Sequence, residues 1–561
     1  MESTFNNSFF NKTDKIIRMN MKSFRITGAS VAIVDGGNVI FSEGYGFADK
    51  ANKIKVNSDT IFKIGSITKV FTASAIMQLA EQGKLDIDKP VNDYINNFSI
   101  KSRFSDIHPI TIRDILCHHS GIPCDDLRNY FSADHEMFKS VTDFLQESYL
   151  VYPPGNAFYY SNLGVNLLGV IIEKVSGIPF HQYIDEKLLK GLNMSHSTIK
   201  LPVEKSNTIS KPYNKGKEQV EGIMKYVPAG GIFSTANDMA KFMNSIIAGG
   251  KGLFENESIL ESMLDSQYPD NPFDFNMNNG LGWFIGKPGL DFAGKVIWHD
   301  GGTPNFFSLT VVIPERKIGV TLLTNSTTGA LMNHQISVEI LQLLLKEKYN
   351  ILPSEIKMDI PKQQNPESIK KYIGKFITLS GIATVTQSGK KLKAVLPFGT
   401  FQLNSDTDDW FRLRLILLEF IPLKIKKLSR IRIGVKTIQN EKILVIEQLG
   451  FQTPIGREYR MLKATEHWKE LTGEYICASE ENPRIKKFRL CNSDDGIFIS
   501  FSADKLGKLK LYLDIINDSE AVIFGYGRYA GETIFANNNR VQIFGLEFRN
   551  EKQYTNAQQM V

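Results

Sequence analysis

A proline-punctuated polar stretch at residues 351–367, carrying Pro353, Pro361 and Pro366, divides this chain into two parts with different hydrophobic rhythms. Upstream, apolar residues recur at helical spacing between strand-like ends. Downstream, short alternating apolar segments are broken by Gly and Asn turns. At 561 residues the chain exceeds what one core can organise. The break is therefore expected to separate a domain at 1–350 from smaller units at 368–465 and 466–561. The division of the downstream part rests on a repeat: Lys370-Lys371-Tyr372-Ile373-Gly374-Lys375-Phe376 is echoed by Lys469-Glu470-Leu471-Thr472-Gly473-Glu474-Tyr475. Each copy would open a small antiparallel β-barrel or half-barrel.

In the upstream part, Val31–Val34 and Val39–Phe41 flank Asp35-Gly36-Gly37-Asn38, the pattern of a β-hairpin. A second hairpin is expected from Phe307–Ile313 to Gly319–Leu323, turning through Pro314-Glu315-Arg316-Lys317. Between them the pattern is mostly helical. An amphipathic helix is predicted after Ser66 from Val70, Phe71, Ser74, Met77 and Gln78, and further helices at 163–175 and 330–345, the latter after a breaker at Gly329. The fold class expected is multidomain α+β: an antiparallel sheet with a helical insertion on its face, then two small antiparallel barrels.

The net charge of +6 is small for this length, which argues against nucleic acid as a partner. Lys424, Lys426, Lys427, Arg430 and Arg432 alternate with apolar residues and read as the solvent face of a strand. No run of about 18 apolar residues occurs, so no membrane span is expected. The N-terminal residues lack the pattern of a secretory signal, and four cysteines form no disulfide framework, so a cytoplasmic setting is expected. Cys117-His118-His119 and Cys124 match no structural zinc spacing, and neither metal nor cofactor is expected.

Three short motifs carry the chemistry. Ser66-Ile67-Thr68-Lys69 places a hydroxyl at a helix start with a lysine one turn on, and a lysine that is neutral can act as a base. Tyr160-Ser161-Asn162 leads into a Leu-rich helix and offers a phenol and an amide. His299-Asp300-Gly301-Gly302 precedes a predicted strand; its glycines admit close approach, and the Gly302 N–H is a candidate oxyanion donor beside that of Ser66. His299 and Gly301 are candidate substrate contacts. Each motif alone is short enough to arise by chance, and an N-cap serine, a packed turn or a structural histidine would explain it. Together they are the kit for acyl transfer through a serine ester.

With Phe62–Lys69, Ile115–Ile122, Pro154–Gly169, Pro228–Thr235 and Gly280–Trp283, residues 20–345 resemble the serine β-lactamase and penicillin-binding-protein superfamily. The resemblance is to the branch near class C β-lactamases, which includes D-aminopeptidases, D-Ala-D-Ala carboxypeptidases and β-lactamase-like esterases. It implies that Ser66 is acylated, that Lys69 and Tyr160 share general-base work, and that Asn162 binds the substrate amide. It also implies an oxyanion hole from the Ser66 and Gly302 N–H groups. The downstream units resemble the lipocalin-like appendages of the D-aminopeptidase group, where an appendage loop can shape the pocket. His299 stands where typical relatives carry the lysine of Lys-Thr-Gly, which weakens recognition of a substrate carboxylate. The function expected is hydrolysis of a small amide or ester, with a D-amino-acid peptide or ester favoured. Alternatives are carboxypeptidase, penicillin-binding or β-lactamase activity, acyl transfer or peptide cyclisation, and a non-catalytic binding or sensor role. A homo-oligomer stays open.

Overall fold

The computed structural model describes residues 7–96, 98–128, 130–132, 141–200, 208–353, 369–388, 391–397, 399–407, 410–417, 421–423, 431–448, 450–479, 484–503, 507–537 and 540–551. Most of the expected linker, and Lys424 to Arg430 of the basic stretch, lie outside these residues.

The upstream part is built on α1 (Asn7–Phe24), β1 (Gly28–Asp35), β2 (Asn38–Asp49), α2 (Thr68–Glu81), α3 (Asn162–Ser176), α4 (Ala236–Ile247), β3 (Ile297–Gly302), β4 (Phe307–Ile313), β5 (Ile318–Thr324) and α5 (Gly329–Tyr349). The eight-stranded antiparallel sheet has the order Asn278–Asn279, Phe284–Ile285, β3, β4, β5, β1, β2, Ile54–Lys55. Both expected hairpins are present. Every residue of β1 is buried, because the sheet is covered on both faces. Ala29, Val31 and Ile33 pack with α1 and α5, while Ala32 and Val34 join the core of the helical insertion. The sheet therefore has a second helical layer besides the expected insertion.

The expectation of an amphipathic α2 is corrected. Thr68 through Leu79 are all buried, since the helix is enclosed by α3, α4 and the segments Ile184–Leu189 and Val227–Gly230. Its polar residues bond inward: Thr72 Oγ1 donates to the Pro228 carbonyl at 2.7 Å and Gln78 Nε2 to that of Leu253 at 2.7 Å. The breaker at Gly329 is the first residue of α5 itself, where a Cβ would lie 2.0 Å from Thr324 Oγ1.

The two downstream units are closed eight-stranded antiparallel barrels. In the first, strands between Gly374 and Glu458 form a ring closed by pairing of Gly399–Thr407 with Trp410–Leu417, and Ile421–Leu423 extends off the latter. The second runs from Gly473 to Asn550. The sequence repeat falls at equivalent places: strands begin at Gly374 and Gly473, and Phe376 and Tyr475 are both fully buried. The second barrel shares one continuous apolar core with the helical insertion. Leu127 N donates to the Phe544 carbonyl at 2.8 Å, and Arg103 pairs with Glu520 at 2.8 Å. Among the described residues no single helix is long and apolar enough to cross a membrane.

Candidate active site

The turn Gly65–Ile67 leads directly into α2, and Gly65 adopts φ +53°, a left-handed conformation that suits glycine. This geometry leaves Ser66 partly exposed at the helix start while Lys69, one turn on, is buried. Lys69 Nζ lies 3.0 Å from Ser66 Oγ, 2.7 Å from Asn162 Oδ1 and 2.8 Å from the Ala229 carbonyl oxygen. Burial pulls the Lys69 pKa down to about 7, against the pull of Asp125 in the other direction. Two of the three partners can only accept. When Lys69 is neutral, its two hydrogens go to Asn162 and Ala229 and its lone pair faces Ser66, the one hydroxyl of the three.

Tyr160 Oη donates to Ser66 Oγ at 2.8 Å. Burial raises its pKa, outweighing the hydrogen bond to Ser66, so at neutral pH it is a phenol and not a phenolate. Asn162 opens α3, whose N-cap Ser161 accepts from Gly164 N at 2.8 Å and donates to the Pro123 carbonyl at 2.6 Å. Asn162 Nδ2 donates to Asp125 Oδ1 at 2.7 Å and to Tyr130 Oη at 3.2 Å. With Oδ1 also holding Lys69, one lone pair of Oδ1 remains for a substrate N–H.

The third motif precedes the strand expected at Phe307–Ile313, and it also forms a strand of its own, β3, paired with it. His299, Gly301 and Gly302 pair in register with Thr310, Ser308 and Phe307 of β4. The end of β3 sits against the Ser66 turn. A Cβ on Gly301 would be 1.9 Å from the Ile64 carbonyl oxygen, and one on Gly65 would be 2.8 Å from Gly302 N. Only glycine permits that approach. Gly302 is exposed, with its N–H beside the Ser66 turn. His299 is buried, its Nδ1 2.6 Å from the Asp300 carbonyl oxygen, and burial brings its pKa down to about 4. Donation from Nδ1 makes Nε2 the acceptor nitrogen of a neutral ring.

A model of the beta-lactamase family matches residues 13–343. The chain belongs to the beta-lactamase family. Protein flp of Staphylococcus aureus (strain MW2) is 29% identical over 321 residues, covering 56% of this chain and 62% of that protein. Beta-lactamase-like protein 4 of Dictyostelium discoideum is 29% identical over 327 residues, covering 51% and 56%. The matched part thus spans 56–62% of the length of these relatives. Among solved structures, the octameric penicillin-binding protein homologue from Pyrococcus abyssi is 26% identical with a TM-score of 0.56, over 80% of this chain and 100% of that one. The structure of SurE with D-Leu, 20% identical at a TM-score of 0.54 over 81% and 100%, shares the fold.

Set against this beta-lactamase framework, several neighbours of the site went unread in the sequence. Asp125 is fully buried against Asn162. Asp300 has His334 Nε2 3.2 Å from its carboxylate, and its negative charge acts on both Lys69 and Tyr160. Arg528 of the second barrel pairs with Asp125, and its charge also reaches Lys69. The Cys117–His119 stretch is structural: His119 Nε2 is 2.8 Å from Asp274 Oδ2 and its Nδ1 2.9 Å from the Cys117 carbonyl oxygen. Among the described residues no group of three or more His, Cys, Asp or Glu could hold a metal ion.

Proposed function

We propose that this chain is a serine hydrolase that cleaves small amides or esters through an acyl-enzyme on Ser66. The observation that carries this reading is the bonding of Lys69, which aims a nitrogen lone pair at Ser66 Oγ. Neutral Lys69 takes the Ser66 proton as Oγ bonds to the substrate carbonyl carbon. The carbonyl oxygen becomes an oxyanion between the N–H groups of Ser66 and Gly302. Collapse breaks the bond to the leaving group, which takes its proton from the Tyr160 phenol. Lys69 returns its proton to Tyr160. Water then attacks the acyl carbon by the same relay and frees Ser66. Asn162 holds Lys69 and accepts from a substrate N–H, while His299 and Gly301 line the β3 side. The units at 1–350, 368–465 and 466–561 would be the hydrolase and its two appended domains.

The substrate side favours a cation over a carboxylate. His299 is neutral, and Asp300 adds negative charge to the field at the site. This supports an aminoacyl amide or ester over a β-lactam or a carboxypeptidase substrate, and the D configuration rests on the family resemblance. The octameric state of the archaeal homologue supports a homo-oligomer, which light scattering would test.

A fluorophosphonate probe is expected to label the protein stoichiometrically and to lose all labelling in Ser66→Ala. Retained labelling in that variant would sink the nucleophile assignment. A paired screen of D- and L-aminoacyl anilides, a cephalosporin reporter and short-chain esters then separates the substrate classes.

A further inference from the structure

The connection between two strands of the second barrel, from Phe524 to Glu532, enters the catalytic layer. Glu532 Oε1 accepts from Cys124 N at 2.9 Å and from Tyr159 Oη at 2.9 Å, and Tyr529 N donates to Tyr159 Oη at 3.1 Å. Packing there is close: a Cβ on Gly531 would lie 2.4 Å from Val151 Cγ1. Arg528 Nη2 donates to Asp125 Oδ2, and Tyr529 Oη reaches the same oxygen at 3.5 Å. The other oxygen of Asp125 holds Asn162 Nδ2 at 2.7 Å. Asn162 Oδ1 holds Lys69 Nζ at 2.7 Å, and Nζ lies 3.0 Å from Ser66 Oγ. An unbroken relay thus runs from the second barrel to the nucleophile.

We propose that Arg528 is a positioning residue of the active site, supplied by the second barrel, which neutralises Asp125 and so fixes the Asn162 amide against Lys69. The proposal rests on the reading of Lys69 and Ser66 given above. Asp125 is wholly buried, and among the described residues Arg528 is the cation paired with it. A buried carboxylate stripped of its partner is costly, and it would draw a proton onto the nearest amine. That amine is Lys69, one amide away.

The groups facing Lys69 come from several elements. Asp125 and Cys124 lie on the segment before Tyr130, Asp300 and His299 on β3, and Arg528 on the barrel, while the Tyr160 ring is 4.8 Å from Lys69 Nζ and packs against the His118 ring at 4.5 Å. Asp125, Cys124 and Asp300 favour the ammonium form; Arg528 opposes it. Loss of Arg528 removes a cation and uncovers an anion, and both changes raise the pH at which Lys69 becomes neutral.

The test uses the full chain and the pH dependence of Ser66 acylation by a fluorophosphonate, from about pH 5 to 10. In Arg528→Gln the acid limb is expected to move up by about one pH unit, which lowers the rate at pH 7 about fivefold and leaves the rate at high pH little changed. Arg528→Lys is expected to bring the limb back toward wild type. Asp125→Asn combined with Arg528→Gln removes both charges and is expected to place the limb at or below the wild-type position. That double variant carries the test even where the single one does not fold. An unmoved limb in Arg528→Gln, a loss independent of pH that lysine does not rescue, or an upward shift in the double variant overturns the proposal. Wild type that takes no label at Ser66 overturns the underlying reading as well, so the two failures are distinct.

Discussion

Two adjacent glycines at the end of β3 differ in what they tolerate, and Gly301→Ala tests the site most sharply. The added methyl would lie 1.9 Å from the Ile64 carbonyl oxygen and 2.4 Å from Ser308 Oγ. Ser308 Oγ itself donates to that carbonyl at 2.6 Å, so both obstacles belong to one bonded contact. A carbon and a carbonyl oxygen settle at about 3.3 Å, so β3 and the Ser66 turn must part by about 1.4 Å. No rotamer relieves a clash with backbone. The movement carries Gly302 N away from Ser66, and a misplacement of that size costs about 10²-fold, rising to about 10³-fold if the oxyanion donor is lost outright. At Gly302 the same methyl meets only the Phe307 ring, at 3.2 and 3.4 Å, on an exposed position. Hydrolysis of p-nitrophenyl acetate is therefore expected to fall about 10²–10³-fold in Gly301→Ala and less than about tenfold in Gly302→Ala. Thermal melts would confirm that both variants fold. Equal losses in the two variants, or near-normal turnover in Gly301→Ala, would refute the placement of β3 against the Ser66 turn.

In the wild type, kcat/KM for the same ester is expected to rise with pH through an apparent pKa near 7, the value to which burial brings Lys69. A midpoint below about 5.5 or above about 9 would exclude Lys69 as the base. Glu532 is held protonated up to about 8 by burial, against an ordinary 4.5. The unfolded chain gives up that proton first, so the stability it contributes is complete below the ordinary value and is lost as pH rises through about 8. Glu532→Gln keeps an oxygen for Cys124 N and Tyr159 Oη, so its melting temperature should exceed wild type by several degrees at alkaline pH. The two should converge in mild acid, and scanning fluorimetry against pH decides it.

Local signals were legible in the chain, and long-range ones were not. The two hairpins announced themselves because Asp35-Gly36-Gly37-Asn38 and Pro314-Glu315-Arg316-Lys317 interrupt β-branched runs. Ser66, Lys69, Tyr160 and Asn162 were visible from motif order, and they meet through direct hydrogen bonds. α1 was missed although Phe9, Thr13 and Ile17 share one buried face at helical spacing, because the middle member of that face is the polar Thr13, flanked by Asn11, Lys12, Asp14 and Lys15. α2 looked amphipathic because Thr68, Thr72, Ser74 and Gln78 are polar; burial was hidden in partners such as Pro228 and Leu253, far along the chain. His299–Gly302 reads poorly as strand by propensity, and pairing with β4 overrides this. Asp125, Arg528 and Glu532 carried no local signal, since each gains meaning only across a domain boundary.

The pairing of Asp125 with Arg528 also has a timetable. The two residues are 403 positions apart. At about 5–20 residues per second, the ribosome makes the arginine roughly 20–80 s after the aspartate. Through that interval a nascent chain already holds Ser66, Lys69, Tyr160 and Asn162, with an unneutralised carboxylate behind them. On the relay proposed above, acylation of Ser66 at neutral pH would run about fivefold slower until the second barrel arrives.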